Sequence, residues 1–186
     1  MTEPLIITDN IERMIAADEI ALRVITLAEE IVQKLPHDLM IVSLLRGSFV
    51  FTADLIRALH NAGGGLVRPQ VDFMTMASYG AGTTSSGNIE VVRDLKEDVE
   101  GRDVLIVDDI LESGRTLAYA KDVLIERKAR SVKIAVLLEK PGKRKVDNIT
   151  ADFVGFIIPD KFVVGYGLDY ANYYRELPYI GVVTIN

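Results

Sequence analysis

Val104-Leu105-Ile106-Val107-Asp108-Asp109-Ile110-Leu111-Glu112-Ser113-Gly114-Arg115-Thr116-Leu117 is the stretch from which the rest of the chain can be laid out. Its first four residues form an unbroken apolar run of β-branched and leucyl side chains. A strand with one wet face alternates apolar and polar residues. An unbroken run suits a strand buried on both faces, as at the centre of a parallel sheet. Two carboxylates follow where that strand is expected to end, then a third at Glu112. A small Ser113-Gly114-Arg115-Thr116 loop leads into an apolar pattern that reads as a helix. Such an arrangement suits a phosphate and a sugar. Free N–H groups at a helix start can hold the phosphate. The carboxylates can hold hydroxyls or a hard cation such as Mg²⁺.

On either side, helices alternate with short apolar runs. Asp9 or Asn10 is placed to cap a first helix with Ile11, Met14, Ile15, Ile20, Ile25, Leu27, Ile31 and Val32 as its apolar stripe, ended by Pro36. Residues 39–45 read as a buried strand, Arg46-Gly47-Ser48 as a tight loop, and 49–60 as a helix stopped by Gly63-Gly64-Gly65. Strands are expected at 67–76, 89–92, 104–107, 132–138, 152–157, 163–166 and 180–185, and a helix at 116–127. Between 78 and 88 the chain is small, polar and glycine-rich, beginning Ser78-Tyr79. That composition suits a functional lid topping a hairpin. The alternation predicts one α/β domain spanning 1–186: a central, mainly parallel sheet flanked by helices. The hairpin and the C-terminal strands should lie on or beside that sheet.

Composition narrows the function. The chain has 186 residues and no cysteine, so disulfides, thiolate catalysis and Cys-based zinc sites are excluded. Only His37 and His60 could supply imidazole. A formal net charge of −6 argues against non-specific binding to nucleic acid. No apolar run reaches the roughly 18 residues of a membrane span. The first residues have neither the basic start nor the apolar core of a signal peptide, which points to a cytoplasmic location. Asn148-Ile149-Thr150 fits a glycosylation sequon, which in that location is a chance match.

In open α/β sheets ligands bind beyond the carboxyl ends of the strands. Four segments fall there: Arg46-Gly47, 108–116, Lys140 with its loop, and 162–175. Each alone has a plainer reading. An acidic pair is more often a solvated loop, a lysine after a strand usually emerges into water, Phe162 suits a core, Asp169 a turn, and Lys143-Arg144-Lys145 a solvated face. Neither a Walker loop nor a Gly-x-Gly-x-x-Gly fingerprint is present.

Together the segments are far more specific. Residues 104–117 resemble the phosphoribosyl-diphosphate signature of type I phosphoribosyltransferases. Asp152-Phe153-Val154-Gly155-Phe156-Ile157-Ile158-Pro159-Asp160 and Lys161-Phe162-Val163-Val164-Gly165-Tyr166-Gly167-Leu168-Asp169-Tyr170 resemble the hypoxanthine-guanine branch, and Leu44-Leu45-Arg46-Gly47 and Val71-Asp72-Phe73-Met74 agree. The likeness runs from about residue 5 to the end.

The resemblance implies a small hood built from the terminal segments and a flexible β-hairpin lid. It implies purine salvage: transfer of the 5-phosphoribosyl group from 5-phosphoribosyl 1-diphosphate to hypoxanthine, and to guanine, giving IMP or GMP and pyrophosphate with Mg²⁺. Asp108 and Asp109 would hold the ribose hydroxyls and the metal, and residues 112–116 the 5′-phosphate, with the Ser113 and Thr116 hydroxyls and the backbone of Gly114 and Arg115 contributing. Arg46, Gly47 and Arg175 would bind pyrophosphate, the first two in a loop where the family has a cis peptide, and Asp169 would lie near Mg²⁺. Lys140 would donate to the purine O6, Phe162 would stack on the base, the Val163 backbone would read its edge, and Asp169 would also belong to the purine pocket. Ser78 and Tyr79 would belong to the closing lid. At the position of Glu112, the expected proton acceptor from the purine ring, the family usually has Asp. The family also forms homodimers and homotetramers. A xanthine-preferring transferase, and an RNA-binding regulator of pyrimidine genes on the same fold, are the alternative readings.

Overall fold

The computed structural model describes residues 11–79 and 88–184. Strand β5 (Asp103–Leu111) lies inside a six-stranded sheet of order β4-β3-β2-β5-β6-β7. Its neighbours β2 (Leu39–Leu45) and β6 (Ser131–Glu139) both run parallel to it. β3 (Gln70–Tyr79) and β7 (Phe153–Ile157) extend the parallel order on either side, and only β4 (Asn88–Arg93) is antiparallel, hairpinned to β3.

The apolar run behaves as its composition demands. Leu105 and Val107 face one core with α1 (Ala17–Lys34) and α2 (Phe49–Ala62), where Leu27, Phe51 and Leu55 are fully buried. Val104 and Ile106 face a second core with Leu117, Ala120 and Leu124 of α3 (Arg115–Glu126). Each of these valine, leucine, isoleucine and phenylalanine side chains contributes about 1.5–3 kcal/mol by leaving water. Both faces of the sheet are therefore closed, and its carboxyl edge is left for ligands.

The strand does not end at Val107. It continues through both aspartates to Leu111, because β6 keeps pairing with it as far as Leu111 opposite Glu139. β3 starts at Gln70 rather than Val67, directly after Pro69, which has no N–H for a ladder.

The expected first helix is really a strand followed by a helix. Ile11–Ile15 forms β1, paired antiparallel with β9 (Ile180–Val183), and α1 begins at Ala17. A register shift between Arg13 and Ile15 breaks the alternation, which is why Ile11, Met14 and Ile15 carry a helical spacing. Asp9 and Asn10 lie outside the described residues. Ala16 stands at the helix start, its N–H donating to Glu19 Oε2 at 2.8 Å. Within α1 the buried stripe is Ile20, Val24, Leu27, Ala28 and Ile31, and Ile25 faces outward.

The C-terminal strands divide. β7 joins the main sheet, whereas β8 (Val163–Val164) and β9 join β1 in a separate three-stranded sheet, the hood built from terminal segments. Arg23 of α1 reaches the outer side of β7, donating from Nε to Gly155 O at 2.8 Å and from Nη2 to Val154 O at 2.7 Å. Ser78 and Tyr79 end β3, and residues 80–87 of the expected lid lie outside the described residues. Among the described residues no helix is long and apolar enough to cross a membrane.

Candidate active site

Two cavities open at the carboxyl edge of the sheet. The first, about 310 Å³, is lined by residues 44–47, Met76, residues 108–114, Thr116 and Leu117. The second, about 360 Å³, is lined by Asp109, Ile110, Glu112, Lys140, Asp160, Phe162, Val163, Leu168 and Asp169. Asp109, Ile110 and Glu112 line both, so a single wall separates the two spaces.

The first cavity is acidic at its floor and mostly backbone at its rim. Asp108 is buried, and its Oδ1 accepts the Asp109 N–H at 3.0 Å. Burial, then the neighbouring Asp109 charge, pushes the Asp108 carboxyl well above the usual range. Burial raises Asp109 as well, against the opposing pull of hydrogen bonds and of Arg175. Across from them, the Leu45–Arg46 peptide is cis, and a Cβ on Gly47 would land on the Asp109 carboxylate. Gly47 therefore lies against Asp109. Beneath this turn the buried Ser43 hydroxyl bonds Ser48 and Thr52, each at 2.8 Å, and Ser48 donates to Leu44 O.

Gly114 makes the rim possible. It holds φ +80° at the N-terminus of α3, and a Cβ there would collide with Ile149. The Ser113 hydroxyl accepts the Arg115 N–H at 3.4 Å, and Thr116 is exposed to the cavity. Arg115 opens α3 but does not line the cavity.

The second cavity is built from side chains. Lys140 is 5% exposed, contrary to the plain reading of a lysine emerging into solvent. Its Nζ lies 3.6 Å from Glu112 Oε2, and its N–H donates to Leu111 O at 3.0 Å. Phe162 is 44% exposed and stands edge-on to Tyr170 at 5.5 Å, so it is a wall with a free face and not a core residue. Val163 is buried beside it. Asp169 Oδ2 accepts the Asn172 N–H at 2.7 Å, and Oδ1 pairs with Arg175 at 2.7 Å. Arg175 also donates to Gly167 O at 2.6 Å and lines neither cavity. The Arg46 Nη1 donates to Asn172 Oδ1 at 3.3 Å, tying the two sides together.

Two participants escaped sequence reasoning. Asp160 lines the second cavity and pairs with Lys143 at 2.6 Å. Arg144 is not part of a solvated face: it is half-buried and bonds Glu139 and two backbone carbonyls. The one available signal was a position four residues past Lys140 in a loop already placed at the site. Among the described residues no three acidic or histidine side chains form a closed metal cage. The paired carboxylates are nonetheless the hard oxygen donors Mg²⁺ takes when water and substrate complete its shell.

Residues 11–171 match the model of the phosphoribosyl transferase domain family. The chain is 46% identical over 179 residues to the hypoxanthine phosphoribosyltransferase of Escherichia coli K12, covering 95% of this chain and 97% of the relative. A Staphylococcus aureus hypoxanthine phosphoribosyltransferase superposes with TM-score 0.87 at 38% identity, over 99% of this chain and 97% of that one. A Trypanosoma cruzi hypoxanthine phosphoribosyl transferase, studied for the role of its C-terminal region in oligomeric state and activity, gives 0.86 at 38% identity, over 97% and 95%.

Proposed function

The chain belongs to the phosphoribosyl transferase family, and on that premise we propose that it transfers the 5-phosphoribosyl group of 5-phosphoribosyl 1-diphosphate to hypoxanthine, and to guanine, releasing pyrophosphate. The observation that carries this reading is the shared wall. A sugar-phosphate cavity and a base cavity share Asp109, Ile110 and Glu112, so two substrates can be held next to one another.

The chain's own groups divide the work. N–H groups and the hydroxyls of Ser113 and Thr116 hold the 5′-phosphate at the start of α3. Asp108 and Asp109 accept the ribose hydroxyls and favour the positive charge that develops on the ring as the C1–pyrophosphate bond breaks. Phe162 offers a ring face to the base, Lys140 donates to O6 and the Val163 backbone reads the base edge. As the ring nitrogen bonds C1, Glu112 accepts the proton the purine loses. Its carboxylate stands 3.6 Å from Lys140 Nζ, on the side of the base cavity. Arg46 and Gly47 face the leaving pyrophosphate, and Arg175 acts through Asp169. Ser78 and Tyr79, at the end of β3, would help to exclude water.

Asp108 and Asp109, with Asp169 nearby, would hold Mg²⁺, which neutralises the diphosphate. Exposed Leu22, Ile25 and Phe49 on α1 and α2 support a homodimer or homotetramer, measurable by sedimentation. A cytoplasmic enzyme free of nucleic-acid partners suits the acidic composition. The deciding assay is pyrophosphate release from phosphoribosyl diphosphate and Mg²⁺ with hypoxanthine, guanine or xanthine. No turnover with hypoxanthine or guanine would sink the proposal.

A further inference from the structure

We propose that Arg144 is a positioning residue that turns the peptide units after β5 so that their N–H groups face the phosphate cavity. The idea rests on the phosphoribosyl reading of that cavity and adds what shapes it.

Three successive carbonyls are held from behind by one loop, residues 140–145. Leu111 O accepts from the Lys140 N–H at 3.0 Å and from Arg144 Nη1 at 3.0 Å. Glu112 O accepts from the same Nη1 at 2.8 Å, and Ser113 O from the Lys145 N–H at 2.9 Å. The guanidinium is itself fixed by Glu139, whose Oε1 lies 2.5 Å from Nη2. In a trans peptide the C=O of one residue and the N–H of the next point in opposite directions. Holding the carbonyls of 111, 112 and 113 on one side therefore turns the N–H groups of Glu112, Ser113 and Gly114 to the other. These three residues line the first cavity, and among the described residues their N–H groups donate to no protein acceptor. Successive N–H groups aimed into one concavity make an anion site. A planar fork that can serve two carbonyls and a carboxylate at once suits Arg and not Lys. Gly114 Cα packs near this side chain too: a Cβ there would stand 3.6 Å from Arg144 Cδ.

The test compares Arg144→Ala, Glu139→Gln and Lys145→Ala with wild type. Lys145→Ala removes the same charge but keeps the backbone N–H. KM for both substrates and the Kd of ribose 5-phosphate are measured in the full chain, with Tm as a check on folding. Arg144→Ala is expected to raise KM for phosphoribosyl diphosphate and the Kd of ribose 5-phosphate about tenfold, the scale of a lost hydrogen bond to a charged group. KM for hypoxanthine should change little. Glu139→Gln should raise the same two constants about threefold, through lost pre-organisation, and carries the test if Arg144→Ala does not fold. Lys145→Ala should match wild type. Wild-type constants in Arg144→Ala and Glu139→Gln would overturn the inference. So would an equal rise in Lys145→Ala, or a parallel rise in both KM values that tracks a fall in Tm. Absence of turnover in the wild type would instead overturn the functional reading, leaving ribose 5-phosphate binding to judge Arg144.

Discussion

Strand β5 carries aspartates at both ends, and the protein treats the two ends in opposite ways. At the start, Asp103 accepts from Arg130 Nε at 3.0 Å and from the Ser131 hydroxyl at 2.6 Å. The Arg130 guanidinium, then Ser131, holds its carboxyl below the usual range. At the far end Asp108 and Asp109 sit side by side, and burial raises both. One end of the strand is satisfied by the protein itself. At the other, among the described residues, Asp108 and Asp109 accept only the neighbouring backbone N–H groups of Asp109 and Ile110, with no fork like that of Arg130, and they line a cavity. Local stability is given up where ligands bind.

Removing an acid from the cavity end should cost the most activity. Asp109→Asn is expected to lower kcat/KM by about 10²–10³-fold, as for a lost group that stabilises transition-state charge. Steady-state assays would read it, and a loss under tenfold would break the contrast between the two ends. Gly47→Ala should approach the same loss, since its methyl would displace the Asp109 carboxylate.

The other wall of the site gives a smaller effect. Lys140→Ala should raise KM for hypoxanthine by about 10–100-fold by removing a charged donor, with KM for phosphoribosyl diphosphate nearly unchanged. Equal changes in both constants would mean Lys140 serves the fold and not the base.

Asp103→Asn should do the reverse of Asp109→Asn: a loss of about 1–3 kcal/mol of stability in urea unfolding, with normal kinetics. Its sign with pH follows from its lowered value. The contribution is fully present above about pH 3.9, where the unfolded carboxyl ionises, and is lost as pH falls through the folded value. Stability of Asp103→Asn should thus converge with wild type in strong acid. The smallest effect is the opposite one. In chelator, Asp108→Asn should gain about 0.5–2 kcal/mol at neutral pH, because a raised folded pKa costs stability above it. That gain should vanish below about pH 3.9. A destabilised Asp108→Asn would erase the comparison.

Legibility in the sequence followed the range of the cause. Residues 104–107 announced a central strand because burial on both faces leaves no polar position. The helices of 49–62 and 115–126 were readable to within two residues, since glycines close to their ends break the pattern. β1 was misread because a bulge gave it helical spacing and its partner, β9, lies almost the whole chain away. Asp108 to Leu111 stayed in the strand through pairing with β6, which no local residue reveals. In the site, residues whose own chemistry faces the cavity, such as Lys140, Phe162 and the acid pair, were legible through the family resemblance. Arg144 was not, because its targets are carbonyls some thirty residues earlier, and every residue has a carbonyl.

A sheet that stops must stop somewhere, and its last strand offers an unpaired ladder to any other chain. At β7 part of that offer is taken up by a single side chain, since Arg23 occupies the carbonyls of Val154 and Gly155. The same contact pins α1 to the sheet and leaves those two carbonyls already bonded for any approaching strand. One arginine thus serves two scales, the docking of a helix within the chain and the chemistry that the sheet's edge presents to other chains.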